Sequence, residues 1–171
     1  MNDSHQNSQL QSEASNLVNE PIAMPYIALS PLSFLKSFIS EIATPIYKLT
    51  SFEKMELLDQ GIKKSDIEQF KMKAQLDYDK LAQALAVTRA TLINKKKDEV
   101  YSENVSEKIV ALSDLYSYGY EVFENVENFN AWLFVPNQAL GGKKPFDIID
   151  NQFGREEIRN LIGRIEYGIY S

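Results

Sequence analysis

Leu81-Ala82-Gln83-Ala84-Leu85-Ala86-Val87-Thr88-Arg89-Ala90-Thr91-Leu92 is the stretch that decides how this chain folds. Leu81 and Leu85 face inward at helical spacing, and small Ala82 lets a second helix cross closely. Val87 plugs the turn, Thr88 caps the next helix, and Leu92 anchors it. This is the spacing of a helix-turn-helix. Between Thr88 and Lys97 there are four positive charges and no negative one. Thr88, Arg89, Thr91, Asn94, Lys95, Lys96 and Lys97 are therefore candidate DNA contacts, with Arg89 or Asn94 set against base edges and the lysines against phosphates. The same spacing also fits a helical hairpin with a solvated basic end. Ala86 stands where such turns usually carry Gly, at a cost of about 1 kcal/mol if the site is left-handed.

Outward from this unit nearly every segment from Phe52 onward has a helical period and none shows sustained strand alternation, so the chain is expected to be all-α. Ser65 with Glu68 reads as a capping box opening a helix with Ile67, Phe70 and Ala74 on one face, and Asp77 reads as the cap of the next. Asn104 with Glu107 is expected to open a long helix carrying Val105, Ile109, Leu112, Tyr116 and Phe123 in one stripe. Phe129, Trp132 and Leu133 follow, stopped by Pro136. Ile158, Leu161, Ile162 and Ile165 then recur at i, i+3, i+4 and i+7. No internal repeat is visible.

Upstream, residues 1–20 are rich in Asn, Gln and Ser without an apolar period, and residues 1–30 are read as a disordered tail. Residues 31–50 are read as a helical extension, in which Leu32, Leu35, Phe38, Ile39 and Ile42 keep helical spacing up to Pro45. Residues 51–103 are expected to form the helix-turn-helix domain, and residues 104–171 a second small helical domain. The 171 residues, 44% hydrophobic and 25% charged, suit one or two small soluble domains. The apolar stretch Ile22 to Phe52 is broken by Pro25, Pro31, Lys36, Glu41, Pro45 and Lys48, so no bilayer helix is expected. Residues 1–20 lack Lys, Arg and an apolar run, which argues against a signal peptide and for a cytoplasmic location.

Charge is unevenly placed. Residues 48–97 hold eleven basic against seven acidic side chains, whereas residues 98–171 hold six against thirteen. A basic module thus precedes an acidic one that would repel phosphates.

Most catalytic chemistry is missing. There is no cysteine, and the single histidine, His5, lies in the polar tail, so thiol catalysis, a Ser-His-Asp triad and a Cys- or His-based metal site lack their groups. No cofactor and no metal are expected, and the chain is read as a non-enzyme. Gly141-Gly142-Lys143-Lys144 resembles a phosphate loop only faintly, because Asn137 stands where the Walker pattern needs Gly and Lys144 where it needs Ser or Thr. A tight turn before a Pro145 helix start fits better. Glu156-Glu157 are read as a solvated first helical turn.

The last forty residues are the most specific. Ala131-Trp132-Leu133-Phe134-Val135-Pro136-Asn137-Gln138-Ala139-Leu140-Gly141-Gly142-Lys143-Lys144-Pro145, then Phe146-Asp147-Ile148-Ile149 and Gly154, lead to Gly163-Arg164-Ile165-Glu166-Tyr167-Gly168-Ile169-Tyr170-Ser171. This resembles the toxin-binding domain of the Xre/MbcA/ParS antitoxins, with a W-L-x-x-P-N-x-A-L-x-G-x-x-P core and an R-I-E-Y-G terminus. The order of helix-turn-helix and long helix also matches the Xre antitoxins of Xre–RES pairs, so the resemblance spans roughly residues 53–171. It implies a type II antitoxin that inhibits a RES-domain, NAD-consuming toxin, represses its own operon by binding operator DNA, forms homodimers, and reaches the toxin's active-site entrance with its C-terminal segment. Asn94 departs from the Arg common in the recognition helix, and residues 1–50 have no counterpart.

Physics assigns Trp132, Pro136-Asn137 and Gly141-Gly142 to the fold. Arg164, Glu166, Tyr167, Gly168, Ile169, Tyr170 and Ser171 are instead the expected toxin contacts, since aromatics and Arg at an uncovered helix end are typical interface anchors. The alternative is a helix-turn-helix transcriptional regulator without a toxin partner, which explains the basic helix but not the C-terminal pattern.

Overall fold

Two reciprocal hydrogen bonds between Thr50 and Glu53 open the first α-helix among the described residues. The Thr50 N–H donates to the Glu53 carboxylate (2.7 Å), and the Glu53 N–H donates back to the Thr50 hydroxyl (3.3 Å), a reciprocal cap that satisfies two otherwise orphaned donors. The computed structural model describes residues 44–168. Among these, a 3-10 turn at Ile46–Lys48 is followed by α1 (Ser51–Gln60), α2 (Lys64–Lys73), α3 (Tyr78–Ala84), α4 (Arg89–Ile93), α5 (Glu103–Phe123), α6 (Val126–Trp132) and α7 (Gln152–Glu166). Two further 3-10 turns, Gln138–Leu140 and Pro145–Ile148, lie between α6 and α7. The described residues are helical and contain no strand beyond an isolated bridge between Lys63 and Val100. The all-α reading holds.

The 21-residue helix α5 is the spine. Its Val105, Ile109, Leu112 and Tyr116 are buried as the periodicity requires, and Phe123 is partly buried at the end of the same stripe. One apolar core runs along it from Ile46, Leu57, Ile67 and Phe70 through Leu81, Leu85 and Leu92 to Phe129, Ile158 and Ile162. The boundary expected at residue 103/104 falls at the start of α5, and the core crosses it. The expected extension 31–50 and tail 1–30 lie outside the described residues apart from the short 3-10 turn and its flanks.

Two helix starts differ from the sequence reading, for a shared reason. The Tyr101 N–H donates to the Ile62 carbonyl (2.9 Å), which pins the chain beside Lys63. Helix α2 therefore starts at Lys64, one turn's edge ahead of the expected Ser65 cap, and Asp66 reaches back to the Lys63 N–H at 2.8 Å. Tyr101 is itself buried, with its phenol donating to the Leu92 carbonyl at 2.8 Å; burial pushes its pKa up to about 12. The chain is thus fixed just before Ser102, and α5 starts there with Ser102 as N-cap, not at Asn104. Likewise α7 starts after Asn151, whose side chain accepts the Gly154 N–H at 3.0 Å, so Glu156 and Glu157 sit in the second turn. Both are exposed there.

Candidate functional site

The C-terminal region is built on an aromatic cluster. Asn125 caps α6 by accepting the Asn128 N–H (2.7 Å), and α6 then lays Phe129 and Trp132 against α5. The Phe129 ring meets Tyr116 edge-on at 5.4 Å, Tyr120 at 5.5 Å and Phe123 at 5.4 Å, while Trp132 stacks on Phe129 at 5.9 Å. Edge-to-face contacts of this kind add to the plain burial of apolar area. Buried Asn130 donates from its amide to the Lys73 carbonyl (3.0 Å) and accepts the Tyr120 phenol (3.1 Å), tying α6 to the end of α2. Trp132 belongs to the fold, as expected.

Beyond α6 the chain turns on Asn137. Its side chain accepts the Ala139 N–H (2.9 Å), its N–H donates to Lys143, and its carbonyl accepts the Gly142 N–H. Gly141 and Gly142 both have positive φ, 66° and 80°, which L side chains rarely adopt, so this is a turn and no phosphate loop. Pro145 opens the next 3-10 turn, and the Phe146 N–H returns to the Leu133 carbonyl (2.9 Å). Gly154 then lets α7 start against this turn, because a Cβ at that position would lie 1.6 Å from the Ile148 carbonyl oxygen. Helix α7 runs along α5 with Ile158, Leu161 and Ile162 buried and Ile165 half-buried.

At the far end of α7, Arg164, Glu166, Tyr167 and Gly168 are exposed, with Tyr167 at 77%. Glu166 accepts a 2.6 Å hydrogen bond from Tyr118 of α5. Ile169, Tyr170 and Ser171, the remaining expected toxin contacts, lie outside the described residues. This end is an apolar and charged surface, and among the described residues no element packs over Tyr167.

Residues 119–168 match the antitoxin Xre/MbcA/ParS C-terminal toxin-binding domain. By these residues the chain carries a domain similar to the toxin-binding domain of the Xre/MbcA/ParS antitoxins. A curated relative, the Prs ADP-ribosylating antitoxin of Sphingobium sp. (strain YBL2), is 24% identical over 137 residues, covering 74% of this chain and 86% of the relative. The matched domain takes in the aromatic cluster apart from Tyr116, the Asn137 turn and all of α7.

The chain's other candidate surface is the helix-turn-helix unit of α3 and α4. Asp77 caps α3 by accepting the Lys80 N–H (2.7 Å), and Thr88 caps α4 by accepting the Thr91 N–H (3.2 Å). Leu81, Ala82, Leu85 and Leu92 are buried and Val87 packs partly into the turn. Ala86 is left-handed, with φ 48°.

The structure corrects the reading of the basic end. Helix α4 is five residues long, Asn94 is its C-cap, and Lys95, Lys96 and Lys97 lie past it. The helix stops because the next residues are drawn to the start of α2: the Ser65 N–H donates to the Lys97 carbonyl (3.2 Å), and Lys64 Nζ donates to the Ile93 carbonyl (2.7 Å). Charges and hydroxyls there are partly engaged. Lys95 pairs with Glu99 at 2.7 Å, Arg89 lies 3.6 Å from Asp79, and the Thr88 and Thr91 hydroxyls bond each other at 2.8 Å. The exposed face of α4 is Arg89, Ala90, Ile93 and Asn94, with Lys96 and Lys97 exposed beside it. Ala90 and Ile93 were not among the sequence candidates, which were chosen for their charge and hydrogen-bonding groups.

Between α1, α5 and α7 lies an open cleft of about 630 Å³, lined among others by Lys54, Glu107, Asp114, Arg155 and Arg159. Asp114 holds Lys54 (2.6 Å) and also pairs with Arg159, so the cations and the carboxylate satisfy one another. Burial and the neighbouring Arg159 charge lower the Lys54 pKa. No cluster of three or more His, Cys, Asp or Glu suited to a metal, and no helix long and apolar enough to cross a membrane, occurs among the described residues.

Proposed function

We propose that this antitoxin inhibits a RES-domain, NAD-consuming toxin by laying its C-terminal segment, Arg164 to Ser171, over the active-site entrance. The observation that carries this reading is the exposed end of α7 within a domain matched as toxin-binding. Inhibition by occlusion needs no catalytic group of its own, which suits a chain with one histidine and no cysteine. The relative's name links an antitoxin to ADP-ribosylation of Prs. Transfer of ADP-ribose and hydrolysis of NAD both break the nicotinamide–ribose bond, so a toxin of either kind needs the same access for NAD. Arg164 supplies charge register and Tyr167 with Tyr170 supplies apolar area at low entropic cost, each anchor being worth about 2 kcal/mol or more.

The same chain is proposed to repress its operon as a cytoplasmic homodimer, with α4 of each copy presenting Arg89, Ala90, Ile93 and Asn94 to the major groove. Polar Arg89 and Asn94 suit base edges, apolar Ala90 and Ile93 suit a thymine methyl, and Lys95, Lys96 and Lys97 suit the flanking phosphates. Thr88 and Thr91 shape the helix start.

Removal of Tyr167 to Ser171 tests the occlusion reading. The truncated antitoxin should fail to stop NAD loss and nicotinamide release by the purified toxin while binding its promoter as before. Inhibition at the same concentration as the full chain would refute it.

A further inference from the structure

After Ile162 the last helical turn of α7 has lost its fully buried side chains: Ile165 is half-buried, and Arg164, Glu166, Tyr167 and Gly168 are exposed. Helix ends held only by their own backbone bonds fray. One side-chain bond reaches this turn from another helix, the 2.6 Å contact from the Tyr118 phenol to Glu166 Oε2, which joins residues 48 apart. Tyr118 is itself braced on both sides. The Tyr47 ring lies 5.4 Å from it, and the Arg159 guanidinium lies 5.2 Å over its face while pairing with Asp114. Gly163 faces the phenol, and a Cβ there would lie 3.4 Å from the hydroxyl oxygen, so α7 passes close without a side chain in between.

We infer that Tyr118 is a positioning residue for toxin binding: by holding Glu166 it fixes the last turn of α7 and so presents Arg164 and Tyr167 in one orientation. This rests on the occlusion reading above. Tyr118 stands one residue ahead of the matched domain and makes its contact within the antitoxin. Glu166, read from sequence as a toxin contact, is here the handle by which the turn is held. A phenol donating to a carboxylate is a charge-assisted bond, stronger than one between neutral groups. Burial and the bond to Glu166 both raise the Tyr118 pKa, so the phenol keeps its proton at neutral pH. Fixing the end before binding lowers the ordering cost that association would otherwise carry.

The test measures the toxin affinity of the full-length antitoxin by calorimetry for wild type, Y118F, E166A and the double variant, and again with Tyr167 to Ser171 removed. Thermal melts and promoter binding accompany each variant. Y118F should weaken affinity about three- to tenfold, less than the full worth of a charge-assisted bond because the loss is read only through the ordering of an exposed turn. It should add nothing once Glu166 is Ala, nothing in the truncated chain, and should leave promoter binding unchanged. Full affinity of Y118F, or an equal loss in full-length and truncated chains, would overturn the positioning role while leaving occlusion standing. Unchanged affinity on truncation alone would instead remove the occlusion reading, and this inference with it.

Discussion

The two halves of the molecule keep their functional groups in different ways. In the helix-turn-helix half the candidate reading groups are drawn into local contacts: Thr88 and Thr91 bond each other, Lys95 holds Glu99, and Arg89 lies near Asp79. In the C-terminal half the supporting groups are buried aromatics and backbone turns, and Arg164 and Tyr167 project from a helix end. A surface that reads phosphates can tolerate such competition, because exposed ion pairs exchange at little cost. A surface that plugs a cavity depends on rigid support from behind.

The largest effect is expected at that support. Gly154 packs its backbone against Ile148, and Gly154→Ala would drive a Cβ into the carbonyl oxygen. The start of α7 must shift, and overpacking against backbone is expected to cost about 3 kcal/mol. A chemical melt should show the loss, and toxin inhibition should fall with it. A melt within experimental error of wild type would show that the close approach is not required.

A smaller effect is expected at the other surface. Lys96 and Lys97 are exposed, whereas Lys95 is engaged by Glu99. Replacing Lys96 and Lys97 by Ala should weaken promoter binding about tenfold and reduce the slope of log affinity against log salt by about 2, whereas Lys95→Ala alone should change the slope less. Toxin inhibition should stay intact in both. An unchanged slope in the double variant would remove the phosphate role.

How much of this was visible in the sequence follows from the range of the forces involved. The caps at Asp77 and Thr88, the stripe on α5 and the Gly141-Gly142 turn rest on residues within a few positions, and all appear as read. The starts of α2 and α5 depend on Tyr101, which bonds Ile62 and Leu92 across the fold, and the short span of α4 on the bonds from Ser65 to Lys97 and from Lys64 to Ile93; no local pattern carries these. The same limit hid Tyr118: it sits off the apolar stripe, and its partner Glu166 is 48 residues away. The C-terminal pattern was legible because it joins turn residues to packing residues at fixed spacing, and the toxin-binding match covers it as far as Gly168.

Within the core, Tyr116 offers a gain. Its hydroxyl is buried among the rings of Phe70, Tyr120 and Phe129 and has no hydrogen-bond partner among the described residues. Burial there raises its pKa well above the ordinary value, so the group stays neutral. Tyr116→Phe removes an unsatisfied polar atom and should raise stability by about 1 kcal/mol, read as a higher denaturant midpoint with unchanged slope. A lower midpoint would mean that the hydroxyl is satisfied in solution.

The smallest effect returns to the turn between α3 and α4. Ala86 holds φ at 48°, in a region that costs an L side chain conformational energy and glycine little. Ala86→Gly should relieve that strain, although the freer unfolded chain takes back part of the gain, leaving about 0.5 kcal/mol of added stability. The Ala86 carbonyl accepts Lys108 Nζ at 3.2 Å, and glycine keeps that carbonyl. Its side chain is exposed, so no packing is lost. Promoter affinity should remain at the wild-type level, because the change touches no group on the exposed face of α4. A fall in stability would show that the turn relaxes out of the left-handed region in solution. A fall in promoter affinity at unchanged stability would show that the proposed DNA-reading half, like the toxin-binding end, depends on a fixed presentation of its helix, and the contrast between the two surfaces would then narrow.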